Sequence, residues 1–293
     1  MPNRTDLSIE LAPLFSSLYE EIVRRALLED LGARGDVTTD AIVSLDDTAT
    51  GQIIARTRGR IAGIHIAGFA FHSLDPKLKY EMHHRDGDDV EAGDVLAVIQ
   101  GAARPVLTAE RTALNFLARL SGIATATRDI VASIAAYPAH VVCTRKTTPG
   151  LRVLEKYAVR AGGGWNHRFG LDDAVLIKDN HIVVAGGAAE AIRRARRHIG
   201  HLVKIEVEVD TLDQLDIVLK EKIDAVLLDN MPVEMLAEAV RITNKRVITE
   251  ASGGITPKTA EAIASTGVDL LSIGWITHSA AALDLSLDFA FNL

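Results

Sequence analysis

The second half of the chain repeats one unit, an apolar run followed by an amphipathic stretch of helical period. The strand-like runs are HVVCTR, DAVLIKD, VKIEVEVD, DAVLLDN, RVITEAS and VDLLSIG, separated by helical segments such as PGLRVLEKYAV, AAEAIRRARRHI, LDQLDIVLKE, VEMLAEAVRIT and TPKTAEAIAS. Strand alternating with helix implies parallel pairing, because each crossover helix returns the chain to the end of the sheet from which the previous strand started. Residues 173–180 (DAVLIKDN) and 224–230 (DAVLLDN) are near copies, and residues 268–274 (VDLLSIG) are a fainter third. A repeating βα unit predicts a barrel, and six strands where a complete barrel has eight make it incomplete or distorted. A doubly wound open sheet competes, but no Gly-x-Gly-x-x-Gly follows any strand.

The 293 residues allow one large α/β domain and a smaller one, and 48% hydrophobic content suffices for two cores. No apolar run approaches the ~20 residues that span a bilayer, and the first residues lack the apolar segment of a signal peptide, so no membrane association and a cytoplasmic location are expected. The single cysteine, Cys143, lies in a predicted buried strand and reads as a packing residue. A net charge of −7 argues against nucleic acid as a partner. The basic run 193–197 reads as a solvated helix face.

In the first half, residues 10–31 read as a helix that stops near Gly32, and residues 35–39 as a turn. Strand texture follows from Ala49, then a short helix. Residues 87–96 have the texture of a lipoyl or biotinyl carrier domain but lack a lysine at a hairpin tip, so they read as scaffold. Thr108 reads as the N-cap of a long hinge helix holding Leu114, Leu117, Leu120, Ile123, Ile130 and Ile134. Arg111 would then sit in the first turn, a poor place for a cation, which suggests a use elsewhere as readily as a solvated side chain.

The tips of the six strands sort by charge: Arg145 and Lys146, then Lys178, then Glu208 and Asp229, then Ser252-Gly253-Gly254 and Ser272-Ile273-Gly274. Ligands of such barrels bind at the carboxyl ends of the strands, so clustered cations imply a substrate with more than one negative charge. His167 and Arg168 follow a glycine triplet on a loop suited to closing over a ligand. Arg145 and Arg168 can clamp carboxylates bidentately, with Lys146 and Lys178 as point charges; ion pairing to Asp172, Asp173 or Asp179 is the plainer alternative. Period 2 in residues 203–210 puts Lys204, Glu206 and Glu208 on the lumen face, with a Lys204–Glu206 pair in the deeper layer and Glu208 at the rim. Glu208 and Asp229 can hold Mg²⁺ through waters and phosphates, or accept from sugar hydroxyls. Residues 250–255, with a helix opening near Thr256-Pro257, suit a phosphate.

The chain resembles the quinolinate phosphoribosyltransferases (nicotinate-nucleotide pyrophosphorylases). The resemblance is carried by the stretches ERTALN (110–115), LSGIAT (120–125), TRKTTPG (144–150), GGGWNHR (162–168) and IKDNH (177–181), and by EVEVD (206–210), LDN (228–230), EASGG (250–254) and SIG (272–274). It implies an N-terminal α/β sandwich domain, residues 1–117 with residues 280–293 packing back on it, and a C-terminal incomplete, TIM-like α/β barrel, residues 118–279. It implies phosphoribosyl transfer from phosphoribosyl pyrophosphate to quinolinate with decarboxylation, Mg²⁺ as cofactor, and a homodimer or hexamer in which Arg111 is donated to the neighbouring active site. It assigns Arg145, His167, Arg168 and Lys178 to quinolinate, with Thr144 and Lys146 nearby, and makes Lys146, Glu208 and Asp229 the catalytic groups. Ser252, Gly253, Gly254, Ser272, Ile273, Gly274 and His278 would take the 5′-phosphate.

Three alternatives stay open. A molybdenum-transport-associated homologue would share the fold but take another anionic acceptor. A class I aldolase-type barrel would use Lys178 as a Schiff base. A carrier role would rest on the lipoyl-like texture.

Overall fold

The computed structural model describes residues 11–290. The chain forms two compact units. The first comprises the residues up to Ala126, Thr148–Gly163 and the residues from Ala280 onward; the second comprises Thr127–Thr147 and Gly164–Ser279. Residues 148–163, placed within the barrel by the sequence-based boundaries, group with the first unit. Among the described residues, no helix is long and apolar enough to cross a membrane.

The first unit opens with a 3₁₀ turn, Ser16–Leu18, and the helix Glu20–Leu31; the part of the expected helix at residue 10 lies outside the described residues. Residues expected as a turn instead enter a helix, Val37–Ile42. The Asp36 carboxylate caps it by accepting the Thr39 N–H at 2.9 Å. The strands follow as β1 (Thr48–Ala55), β2 (Gly59–Arg60), β3 (Lys79–Met82), β4 (Asp89–Val90) and β5 (Val95–Ala102). Alternate residues of β1 turn inward, so Ile53 and Ala55 are buried with Leu96, Ile99 and Phe71.

The long helix spans Ala103–Ser133. It starts five residues before Thr108, because Pro105 in the first turn removes an N–H that would have no partner there. Thr108 therefore lies inside the helix, donating to Asp36 Oδ2 at 3.1 Å. Arg111 is likewise past the first turn, so the dipole misfit does not exist. The apolar face is as expected: Leu117, Ile123 and Ile130 are fully buried.

The second unit holds six strands: β6 (His140–Val142), β7 (Val175–Ile177), β8 (Ile205–Val209), β9 (Ala225–Asp229), β10 (Ile248–Ser252) and β11 (Leu270–Ser272). They form one parallel sheet in the order β6-β11-β10-β9-β8-β7. That is the order of a ring broken at one seam, between β6 and β7: an incomplete barrel. At the seam, Trp165 bridges to Val142 in parallel fashion, donates its backbone N–H to Val141 O at 2.8 Å, and stacks on His140 with ring centroids 3.8 Å apart. Cys143 is buried beside it, its thiol donating to Asn166 Oδ1 at 3.3 Å, a packing role. The basic run lies on the exposed face of the helix Ala188–His198, where Arg194 pairs with Glu190 and Arg193 with Glu221.

The chain ends its described course as β12 (Leu285–Ala290), which returns to the first unit and pairs antiparallel with β1. This completes a four-stranded antiparallel sheet, β12-β1-β5-β3, beside the two-stranded β2-β4. The molecule is thus α/β, with a small antiparallel domain and an incomplete parallel barrel.

Candidate active site

Parity within the barrel strands decides what faces inward. On β8 the apolar Ile205, Val207 and Val209 are buried toward the outer layer, leaving Glu206 and Glu208 toward the lumen. Lys204 does not join them. It precedes the strand, its side chain is 75% exposed, and its ammonium meets Asp224 at 3.0 Å. The expected Lys204–Glu206 pair is not formed, because a long cationic stem at the amino end of a strand reaches water more cheaply than it enters the lumen.

At the carboxyl ends of the strands a cavity of about 770 Å³ opens, lined by Thr144, Arg145, Lys146, His167, Arg168, Lys178, Glu208 and Asp229, and by Ser252, Gly253, Gly254, Ser272, Ile273, Gly274 and His278. All the sequence-predicted site residues except Arg111 are therefore brought together. Arg111 belongs to the first unit, and its side chain is 66% exposed with Glu110 at 3.8 Å. Leu176, Leu227, Asn230 and Trp275 also line the cavity without a site role read from the sequence, and Ile255 and Thr256 belong to the stretch read there as suited to a phosphate.

One wall is cationic. Arg168 donates from Nη1 to Ala174 O at 3.0 Å, and its buried Nε has no hydrogen-bond partner. Burial first, and the neighbouring Arg145 second, disfavour its charge, with Asp173 and Glu206 opposing. Two guanidiniums so close lower each other's energy only when an anion comes between them. Asp173, considered a mundane partner for the cations, accepts the Gly170 N–H at 3.0 Å and so also shapes the loop. Lys146 is held by its backbone: its N–H donates to Thr144 Oγ1 at 3.0 Å, and its carbonyl accepts from Thr277 Oγ1 at 2.9 Å. Its stem crosses Gly274 so closely that a Cβ there would lie 3.0 Å from Lys146 Cδ. Lys178 reaches Glu208 and forms an ion pair at the rim.

The opposite wall is made of small residues and carboxylates. Asn230, in the left-handed region at φ 54°, donates from its amide to Asp229 Oδ2 at 2.6 Å. Gly253 has φ 99°, and a Cβ there would overlap the Asn230 side chain, so glycine is required on two counts. The helix expected near Thr256 begins later, at Ala260, after a turn in which the Thr256 N–H binds Thr259 Oγ1; any anion here would meet the glycine turn rather than a helix end.

The floor holds a cluster that the sequence showed only in part. His167 Nε2 lies 2.8 Å from Glu206 Oε2 and 3.6 Å from Glu250 Oε1, and its Nδ1 accepts the Arg168 N–H at 2.7 Å. Burial, then repulsion from Glu206, push the Glu250 carboxyl up to about 7, with His167 opposing. Glu250 shares the inward parity of Ser252, which was the available signal.

Cations facing carboxylates and a Ser-Gly wall, at the carboxyl ends of an incomplete α/β barrel, define a site for anionic ligands, with charge for carboxylates on one wall and a glycine turn suited to phosphate on the other. Comparison with known proteins narrows this. Residues 36–121 match the family model described as quinolinate phosphoribosyl transferase, N-terminal domain, and residues 123–288 that of its C-terminal domain. The chain is 43% identical to the probable nicotinate-nucleotide pyrophosphorylase [carboxylating] of Bacillus subtilis, over 93% of this chain and 94% of that one. It is 42% identical to quinolinate phosphoribosyltransferase [decarboxylating] 2b, mitochondrial, of Nicotiana tabacum, over 96% of this chain and 85% of that one. The crystal structure of NadC from Streptococcus pyogenes superposes with a TM-score of 0.92 at 36% identity, covering 95% of this chain and 99% of that one. The chain belongs to the quinolinate phosphoribosyltransferase family.

Proposed function

We propose that this cavity carries out the family's reaction: the phosphoribosyl group passes from phosphoribosyl pyrophosphate to the ring nitrogen of quinolinate, giving nicotinate mononucleotide, CO₂ and pyrophosphate. The observation that carries it is the convergence of Arg145, Lys146, Arg168 and Lys178 on one cavity with Glu208, Asp229 and two Ser-Gly turns. The arginines and lysines bind the two acceptor carboxylates, with His167 beneath them and Thr144 at the edge. The turns 252–254 and 272–274, with His278, receive the 5′-phosphate through backbone N–H groups.

The nitrogen lone pair of quinolinate forms the new bond to ribose C1 while the bond from C1 to the pyrophosphate oxygen breaks. Glu208 offers negative charge near the carbon that becomes cationic, and Asp229 accepts from ribose hydroxyls. The ring is then a pyridinium. When the carboxylate beside the nitrogen leaves as CO₂, the electron pair of the broken C–C bond stays on the ring carbon next to the cationic nitrogen, and that carbon takes up a proton. The chain's own residues act by alignment and charge complementarity.

The donors at the rim are oxygens, the set Mg²⁺ prefers, so Glu208 and Asp229 fit as its residues, through waters and the pyrophosphate. Bound there, Mg²⁺ supplies positive charge against the departing pyrophosphate. Arg111, exposed and outside the cavity lining, suits donation to a neighbouring subunit's site in a homodimer or hexamer. A cytoplasmic setting completes the reading.

The test is release of labelled CO₂ from quinolinate with phosphoribosyl pyrophosphate and Mg²⁺ present or singly withheld. Release that needs all three is expected. Release without the sugar donor, or none from folded protein, would overturn the assignment.

A further inference from the structure

The two carboxyls on the cavity floor have no part in the division of labour above, for Glu206 and Glu250 are buried and neither lines the cavity. With His167 they put three ligand-type atoms within 4.8 Å of one another, and Glu206 Oε1 and Glu250 Oε1 are buried with no hydrogen-bond partner. By composition alone this could be a metal centre.

The ring of His167 decides otherwise. Its Nδ1 accepts a backbone N–H, so that nitrogen carries no proton. The ring proton is then on Nε2, which faces the Glu206 carboxylate at hydrogen-bonding distance. A metal would need the Nε2 lone pair, and taking it would drive the proton onto Nδ1, against the N–H of Arg168. The geometry favours hydrogen over metal at this place. Two adjacent buried carboxyls do not both ionise readily, and the raised Glu250 carboxyl agrees that one of them keeps a proton near neutrality.

We infer that Glu206 is a positioning residue that acts through His167: it fixes the Nε2–H tautomer, and the proton-free Nδ1 then anchors the Arg168 backbone so that the guanidinium meets the acceptor from a set turn. Glu206 accepts the imidazole proton, and Glu250 fills the space beside it. Both ring nitrogens of His167 are engaged with the protein, so the acceptor meets the face or carbon edge of the ring. The acceptor's identity rests on the proposed function; the tautomer does not.

The experiment has two parts. In the unliganded protein labelled with ¹⁵N-histidine, NMR should show His167 with Nδ1 bare and Nε2 protonated, and adding Mn²⁺ or Zn²⁺ alone should leave these signals in place. A protonated Nδ1, or a metal-induced shift or broadening confined to His167, would overturn the inference. In steady-state kinetics, Glu206→Met, which keeps the volume and removes the acceptor, should raise the quinolinate KM about tenfold or more, with the phosphoribosyl pyrophosphate KM unmoved. Glu206→Gln, which can still accept from Nε2–H, should recover most of the loss, and Glu250→Gln should be near wild type. Equal effects on both KM values, or no rescue by glutamine, would mean a merely structural role. Should Glu206→Met fail to fold, the wild-type tautomer and the quinolinate KM of Glu206→Gln still decide. Failure of the wild type to turn over quinolinate would sink the proposed function and leave the NMR result standing.

Discussion

Glu206 and Glu208 stand two residues apart on the same face of β8, one at the floor of the cavity and one at its rim. At the floor, Glu206 is sealed in with His167 and a second carboxyl. At the rim, Glu208 pairs with Lys178, whose side chain is 48% exposed. Glu208 is itself 14% exposed against 10% for Glu206, so the two carboxylates differ in their partners: an ion pair whose cation stands in water contributes less to stability and gives up that cation to a ligand more cheaply. A buried hydrogen-bonded pair is costly to disturb. The exposure of the partner, 13% for His167 and 48% for Lys178, therefore separates the group that holds the site in shape from the one that trades partners during turnover, although the residue type is the same.

Substitutions can test that separation. The largest effect is expected from Arg168→Ala, which removes a half-buried cation from the rim wall: about 2–4 kcal/mol in kcat/KM for quinolinate, or roughly 30- to 900-fold. A change confined to the sugar donor's kinetics would break the assignment of the two walls. Gly253→Ala comes next. Positive φ and the overlap with Asn230 should cost up to about 3 kcal/mol, seen as a raised KM for phosphoribosyl pyrophosphate and a lower Tm. An unchanged KM would show that this turn does not bear the phosphate.

Glu250→Gln sharpens the floor. Its carboxyl, raised by burial to about 7, binds its proton more tightly folded than unfolded. It therefore favours the fold at acid pH, and that contribution is lost as pH rises from the ordinary glutamate range through about 7. Chemical denaturation of wild type against Glu250→Gln should show the variant gaining about 2 kcal/mol between pH 5 and pH 8. A parallel pair of pH profiles would mean that Glu250 is ionised throughout. The smallest effect is expected from Lys204→Met: less than about 1 kcal/mol and no change in either KM, since its partner Asp224 also binds Arg196 and the Ile205 N–H.

The βα periodicity carried the barrel, because a strand buried on both faces shows itself as an unbroken apolar run, and the charged residues that interrupt such runs mark the strand tips. The same logic brought out Arg145, Lys178, Glu208 and Asp229. Three things were not legible. The start of the long helix was misplaced at Thr108 because a threonine before an apolar run looks the same whether it caps the helix or bonds to Asp36 from inside it. The lumen pair was misassigned because parity fixes the face of Lys204 but not where a flexible stem ends. Glu250 was read only as the start of a stretch suited to phosphate, because a single acid in RVITEAS gains a partner only once His167, over 80 positions earlier, is folded against it.

The return of the chain to β12 bears on how the protein is made. The first sheet needs β12 against β1, and the barrel needs β11 against β6, so each waits for segments that leave the ribosome late. Until then β1 presents an open edge next to a nearly finished apolar core, a state prone to pairing with another nascent chain. A stop codon just before Leu285 would spare every residue lining the cavity and still leave that edge unpaired. Such a truncated chain should accumulate as aggregate, with its catalytic groups all encoded.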